Sequence, residues 1–269
     1  MLSYPEIDPV LFGFGPLQVR WYGLMYVLGF TACYLLVRRQ IREFAQDLLA
    51  RRFDDLNTAL ILGVILGGRL GYVFFYHPGY FLQHPLEIPA IWQGGMSFHG
   101  ACLGVMLAGY LACRRFGLDF WPTADLYVVT IPIGLGLGRI GNFINGELFG
   151  RVSTAPWAMI FPQGGPWPRH PSQLYEAALE GVVLFLLLWT SRQRPWQGGQ
   201  RLWPHGALLA LFLVAYALMR FLVEFTREPD PHLGLLAAGL SLGQWLSLAM
   251  LGGGLLLWWW REKRSTAEQ

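Results

Sequence analysis

Among the ionisable residues inside or at the edge of apolar stretches of this sequence, Arg69, Arg139, Arg220 and Glu224 are the first candidates for chemistry. Placing a charged side chain at the centre of a membrane helix costs roughly 2.5–3.5 kcal/mol on insertion scales. Each therefore needs a partner or a task. Arg220 and Glu224 are four apart, which on a helix sets them on one face where they can pair. The densest polar stretch is Gly134 to Arg151, GLGLGRIGNFINGELFGR. Its glycines permit a bent backbone with accessible N–H groups, which suits an anion. Arg139 adds a planar fork matched to phosphate oxygens, and Asn142, Asn145 and Glu147 can bond hydroxyls. These are the groups that would hold a phospholipid head group bearing a glycerol. A glycine-rich helix terminus with satisfied polar side chains is the plainer alternative. His99, in Gly-Gly-Met-Ser-Phe-His-Gly (94–100), reads first as a structural donor and second as a group that could take part in proton transfer. His170 and Ser172 read as structural, Ser172 as the N-cap of the helix after Pro171.

The elements that must carry these residues are membrane helices. The chain has 269 residues, 54% hydrophobic and 14% charged, against roughly 25% charged in a soluble domain; the mean hydropathy is +0.38. A spanning helix needs roughly 20 mostly apolar residues. Seven segments qualify, at about 20–38, 56–76, 97–113, 122–139, 172–190, 205–225 and 237–260. The fourth contains Asp125 and Pro132 and is the least regular. The reading is an all-α integral membrane protein, one polytopic domain over 1–269. Longer polar stretches at about 76–96 and 142–171 form an interfacial segment and a small outer cap. The basic residues, 19 arginines and Lys263, set the orientation. Arg38, Arg39, Arg42, Arg51, Arg52, Arg114, Arg115, Arg192, Arg194, Arg201, Arg261, Lys263 and Arg264 gather on one side, so the N-terminus faces out and the C-terminus in. Trp258, Trp259 and Trp260 mark the inner end of the last helix. Gly63, Gly67 and Gly71, and Gly100, Gly104 and Ala108, recur every fourth residue and let helix backbones approach closely.

Cys33, Cys102 and Cys113 form neither a disulfide framework nor a metal spacing and read as buried thiols. The first apolar run has no basic segment ahead of it and no small-residue cleavage site, so it is expected to stay as an uncleaved anchor. No ligand cluster or nucleotide motif appears; no metal, organic cofactor or nucleic-acid partner is expected. A transporter or flippase would also explain buried arginines and a broken helix, but would carry polar groups to both faces. A non-catalytic lipid-binding subunit is a further alternative.

The stretch Gly138 to Gly150, GRIGNFINGELFG, resembles the signature of the bacterial prolipoprotein diacylglyceryl transferases. Trp21–Tyr26, Gly67–Arg69, Gly94–Gly100, Arg169–Glu176 and Arg220–Arg227 resemble further pieces of that family, in its order, over about residues 20 to 230. The resemblance implies an enzyme of the bacterial inner membrane with its active site towards the periplasm. It implies transfer of the diacylglyceryl group of phosphatidylglycerol to the lipobox cysteine of a preprolipoprotein signal peptide. The products would be a thioether and glycerol phosphate, the first step of lipoprotein maturation. Arg139 and Arg220 correspond to the family's essential arginines. Tyr22, His99, Asn142, Glu147, Gly150, Tyr216, Glu224 and Arg227 fall on positions the family uses. On this reading Arg139 and Arg220 take the phosphate, and Asn142 with Glu147 the head-group hydroxyls. A thiol with a pKa near 8.5 is only a few per cent ionised at pH 7, and His99 is the candidate base.

Overall fold

The computed structural model describes residues 2–5, 7–14, 17–196, 203–228 and 236–267. Arg201, counted among the inner-side basic residues, lies outside them. Six helical stretches among the described residues are long and apolar enough to cross a membrane: Trp21–Glu43, Asp47–Phe75, Phe120–Ile144, Ser172–Trp196, Ala207–Thr226 and Leu242–Ser265. The expected segment at 97–113 also forms a helix, Phe98–Phe116. His99 at its start and Arg114 and Arg115 at its end dilute its apolar character, and it is not among the six.

The chain divides into two compact units, residues 1–40 with 124–269, and residues 41–123. The second unit is built on α2 (Asp47–Phe75) and α4 (Phe98–Phe116). The 29 residues of α2 measure about 43 Å at ~1.5 Å each, longer than the apolar run at 56–76 alone suggests. Asp47 in its first turn favours a start in water, beside the partial positive charge of the helix terminus. Glycines hold α2 against α4. A Cβ on Gly63 would come within 2.6 Å of Ala108 Cβ, and one on Gly104 within 2.7 Å of Gly67 Cα. No side chain larger than hydrogen fits at that spacing, which is what the four-residue repeats predicted. Between the two helices, α3 (Pro78–Gln83) and short 3-10 turns at Pro85–Glu87 and Ile91–Gln93 occupy the expected outer segment, with Leu82, Leu86 and Trp92 exposed.

The first unit holds α1 (Trp21–Glu43), α5 (Phe120–Val128, which begins in the other unit), α6 (Ile131–Ile144), α7 (Ser172–Glu176), α8 (Leu184–Ser191), α9 (Ala207–Val223) and α10 (Leu242–Ala267). The irregular fourth segment is a helix broken at 129–130. Pro132 stands in the first turn of α6, where its missing N–H is no loss. Carbonyls near the break are met from α1: Gln40 donates to Leu126 O at 3.0 Å and the Cys33 thiol to Thr130 O at 3.3 Å. All three cysteines are free thiols. A π-helical stretch, Ala177–Val183, joins α7 to α8, a distortion that recurs at functional sites. Asp125, fully buried, accepts the backbone N–H of Gly206 at 2.7 Å and of Leu209 at 3.2 Å. It thereby caps the start of α9 from another helix. Ser241 and Gln244 cap α10 reciprocally: Gln244 N donates to Ser241 Oγ and Ser241 N to Gln244 Oε1.

The unit's apolar core is Val128, Val129, Leu184, Leu188, Leu208 and Ala215. A satellite core of Phe143, Met159 and Phe161 lies at the segment that follows α6, with Tyr4 and Phe149 packed on it. Short strands, absent from the all-α expectation, complete the cap. β1 (Leu2–Ser3) runs parallel to β4 (Met159–Ile160), and β2 (Val10–Phe14) pairs antiparallel with β3 (Leu17–Arg20). Helix surfaces in both units expose Phe74, Phe75, Leu103, Leu186, Leu222 and Leu256. Water would punish such a surface; lipid chains would not. Beyond Trp258, Trp259 and Trp260, α10 continues to Ala267, with Lys263 Nζ 4.2 Å from the Trp259 ring and Arg264 Cζ 4.4 Å from that of Trp260.

Candidate functional site

Glu176, on the last residue of α7, has no solvent exposure and meets three arginines. Its Oε2 lies 2.8 Å from Arg139 Nε and accepts Arg220 Nη1 at 2.8 Å; its Oε1 accepts Arg227 Nη1 at 2.8 Å. Glu180, one turn on and also fully buried, lies 3.5 Å from Arg220 Nη1 and 3.9 Å from Arg139 Nη2. Glu224 accepts Arg220 Nη2 at 2.8 Å, the pairing that the four-residue spacing predicted, and lies 3.4 Å from Arg227 Nε. Three guanidinium groups thus face three carboxylates, a formal sum of zero. That removes most of the cost of holding charge inside a helix bundle.

Close backbone contact brings these helices together. A Cβ on Gly181 would stand 2.7 Å from Gly136 Cα, so α6 touches the π-helical stretch one turn below Arg139 and beside Glu180. On the other side Gly243 leaves room for Glu224, whose Oε1 would lie 2.6 Å from an added Cβ. Ser241 Oγ donates to the same oxygen at 2.9 Å. Tyr216 is one turn before Arg220 on α9, its ring stacked on Phe212. Arg139 is the most open of the three cations, its side chain 21% exposed against 15% and 16% for Arg220 and Arg227. Its terminal nitrogens make no hydrogen bond among the described residues, whereas both of Arg220's are committed to carboxylates.

Where α6 ends, the backbone turns through Gly146 (φ 67°) and Leu148 (φ 56°). The turn folds Glu147 back so that its Oε1 accepts Asn142 Nδ2 at 2.9 Å and Asn145 Nδ2 at 3.1 Å. Gln173 donates to Glu147 O at 2.6 Å and Tyr4 OH to Phe143 O at 2.6 Å, pinning the turn from both flanks. Tyr22 lies against the same helix: Gly141 has no Cβ where one would come 2.9 Å from the Tyr22 ring, and Tyr22 OH is 3.0 Å from Tyr26 OH. Gly150 donates to His170 O at 2.9 Å, and a Cβ there would come 2.9 Å from His170 Cβ. Its backbone pairs with that of Arg227, and Arg151 Nε donates to Arg227 O at 2.6 Å. The backbone at Gly150–Arg151 and the arginine cluster are therefore joined through Arg227.

Arg139, Arg220, Glu224 and Arg227 are joined directly, with Tyr216 beside them. Tyr22, Asn142, Glu147 and Gly150 line the adjoining turn of the same unit. His99 stands in the second unit, exposed, as the second residue of α4. Its ring is 5.8 Å from Phe98, and it makes no hydrogen bond among the described residues. Ser172 is not an N-cap, contrary to expectation. It is the first residue of α7 and donates to Leu148 O at 3.0 Å, because the helix starts on Pro171 and the hydroxyl serves the strained turn instead. His170, as expected, is structural in its backbone bonds, and its Nδ1 lies 3.1 Å from Tyr175 OH. Burial lowers its pKa below the ordinary histidine value. Glu176 and Glu180 were missed as site residues, although two carboxylates inside the segment 172–190 are the signal that singled out Arg139 and Arg220. No group of three or more His, Cys, Asp or Glu among the described residues could hold a metal.

Long apolar helices around a buried, charge-balanced arginine–carboxylate cluster define a multi-pass α-helical membrane protein with a polar site on its helix termini. Comparison with known proteins carries this further. A family model described as prolipoprotein diacylglyceryl transferase matches residues 9–260. The chain is 59% identical over 249 residues to the phosphatidylglycerol–prolipoprotein diacylglyceryl transferase of Desulfotalea psychrophila, covering 93% of this chain and 91% of the relative. It is 54% identical over 270 residues to the protein of that name from Bordetella avium, covering 100% of both, and 53% to that of Geobacter sulfurreducens, covering 93% of both. The chain belongs to the prolipoprotein diacylglyceryl transferase family.

Proposed function

We propose that this chain transfers the diacylglyceryl group of phosphatidylglycerol to the lipobox cysteine of a preprolipoprotein, in the bacterial inner membrane, with the site open to the periplasmic side. Phe98–Phe116 counts as a seventh span beside the six apolar ones, which puts the termini on opposite sides, and the placement of the basic residues then sets the N-terminus outside and the C-terminus inside. The observation that carries the reading is the Arg139 guanidinium. It is fixed through Nε by buried Glu176, is the most exposed of the three guanidinium groups, and keeps both terminal nitrogens free of hydrogen bonds among the described residues, the donors that a phosphodiester's oxygens would take. Arg220 and Arg227 are held by the same glutamates and fix the carboxylates that anchor Arg139 rather than offering free hydrogen bonds. Glu147 has one oxygen occupied by two asparagines and a second without a partner among the described residues; that oxygen accepts a head-group hydroxyl.

In the transfer the cysteine sulfur attacks the glyceryl carbon next to the phosphate. The carbon–oxygen bond breaks with its electron pair passing to the phosphate oxygen. A thioether forms and glycerol phosphate departs. Charge developing on that oxygen is met by fixed cations, which need no reorganisation during the step. The thiol proton passes to His99 and ends on the released phosphate. The assignment of His99 rests on an exposed imidazole without a hydrogen bond on α4.

Head-group release measures this reading. Purified protein in phosphatidylglycerol micelles with a lipobox-cysteine peptide is expected to release glycerol phosphate. Glu147→Gln is expected to raise KM for the lipid by about tenfold, with less effect on kcat. Unchanged KM in that variant would remove Glu147 from the head-group site, and no release from folded wild-type protein would overturn the transfer.

A further inference from the structure

Arg69 is the intramembrane cation that the proposed reaction does not use. It lies on α2, 5% exposed, with no carboxylate in ion-pair range among the described residues. Its guanidinium is spent on backbone carbonyls. Nε donates to Ile88 O at 2.7 Å, Nη2 to Glu87 O at 2.7 Å, and Nη1 to Gly94 O at 2.7 Å and Gly95 O at 3.2 Å. The rings of Phe81 and Tyr72 flank the cation at 5.2 and 5.9 Å. The sequence Gly-Arg-Leu-Gly around Arg69 parallels Gly-Arg-Ile-Gly around Arg139, yet one arginine grips carboxylates and the other grips a loop.

That loop leads into α4. Gly94 and Gly95 both have positive φ (85° and 75°), a pair of conformations that turns both carbonyls onto one guanidinium nitrogen and that side chains resist. Gly95 also has no room for a Cβ, which would come 2.8 Å from Tyr72 Cδ1. Gly68, the neighbour of Arg69, accepts Ser97 N at 2.8 Å, and Ser97 Oγ accepts Gly100 N at 3.2 Å as the N-cap of α4. His99 sits between the capping residue and the capped N–H. Two adjacent residues of α2 thus hold the backbone immediately before His99 at three carbonyl or amide positions. A lysine could not do this, because a point ammonium lacks the fork that reaches carbonyls in diverging directions.

We propose that Arg69 is a positioning residue for His99: by clamping the carbonyls of residues 87, 88, 94 and 95 it fixes the first turn of α4 and hence the place of the imidazole. This rests on the reading of His99 as the thiol base.

The test is a double-substitution cycle on the full-length protein in phosphatidylglycerol micelles with a lipobox-cysteine peptide. The variants are Arg69→Gln, His99→Gln and both together. Arg69→Gln is expected to lower kcat by about 10²-fold, the cost of a displacement near 1 Å, while KM for the lipid stays within about twofold. With His99→Gln already present, the same change is expected to cost less than about threefold, since a misplaced base no longer matters. Equal losses in both backgrounds would show a general structural effect and overturn the proposal, as would undiminished kcat in Arg69→Gln. Full turnover in His99→Gln alone would remove the base, and the inference with it, whatever Arg69 does. Should Arg69→Gln fail to fold, Arg69→Lys keeps the cation and one or two of the bonds and is read in the same cycle, with the same two outcomes.

Discussion

Replacing Glu176 by glutamine removes the carboxylate on which three arginines converge. Arg139 Nε, Arg220 Nη1 and Arg227 Nη1 all lie 2.8 Å from its oxygens. Glutamine keeps one acceptor oxygen and turns an N–H₂ towards a cation, so two of the three contacts are weakened. Hydrogen bonds to charged groups contribute about 1.5–3 kcal/mol each, which puts the loss of two at no more than about 3–6 kcal/mol. A similar range is found when one partner of a buried ion pair is deleted. At about 2–4 °C per kcal/mol for a chain of this size, the melting temperature falls by roughly 10 °C. Turnover falls further than stability implies. At a temperature where the variant is folded, Arg139 has lost the anchor on its Nε, and a shift near 1 Å costs about 10²-fold. The assays are thermal unfolding in detergent–lipid micelles and glycerol phosphate release from the same preparation. A Glu176→Gln variant within about 2 °C of wild type and with full turnover would refute the claim that this carboxylate organises the arginines.

Asp125→Asn leaves one acceptor for the N–H groups of Gly206 and Leu209 and is expected to cost about 1–2 kcal/mol, seen as a lower melting temperature with turnover unchanged well below it. Gly104→Val puts a branched side chain where even a Cβ comes 2.7 Å from Gly67 Cα; separation of α2 from α4 costs about 1–3 kcal/mol and is read as increased cysteine labelling at Cys102. Tyr4→Phe removes the hydroxyl that bonds Phe143 O and Ile144 O and is expected to cost about 1 kcal/mol by thermal unfolding. His170 has a folded-state pKa lowered by burial. Its neutral form therefore contributes stability that is full above the unfolded value of about 6.5 and is lost as pH falls through the folded one. Acidification from pH 7.5 to 5.5 should lower the melting temperature of wild type more than that of His170→Asn.

The helices were legible because apolar runs of membrane length leave few alternatives, and the four-residue spacing marked a close-packing face on each of α2 and α4 without saying that the two faces meet. The ends were not. α2 runs on into charged residues, where Arg51, Arg52 and Asp55 are helical for reasons of local propensity that hydropathy does not report. α10 starts at Leu242 because Ser241 and Gln244 cap it, while the apolar residues at 237–239 form a separate 3-10 turn. β1 and β4 are two residues each and could not be seen in a pattern of period two. In the site, Arg220 with Glu224 followed from their spacing, whereas the hydrogen bond from Asn142 to Glu147 did not, since the turn that folds Glu147 back is set by Gly146 and Leu148. Glu176 and Glu180 were overlooked because they lie in a segment whose mean apolarity is high, although each is as costly there as Arg139. Their partners come from residues 139, 220 and 227, a convergence fixed by the Gly136–Gly181 contact and by the pairing of Gly150 with Arg227, neither of which a linear sequence displays.

The most direct test is the mass of a lipobox-cysteine peptide after incubation with the purified protein and phosphatidylglycerol, compared with an Arg139→Ala variant of equal thermal stability. The account predicts that the peptide gains one diacylglyceryl group with the wild type, with glycerol phosphate released in equal amount, and that both vanish with Arg139→Ala. Transfer at the wild-type rate in the Arg139→Ala variant would contradict it.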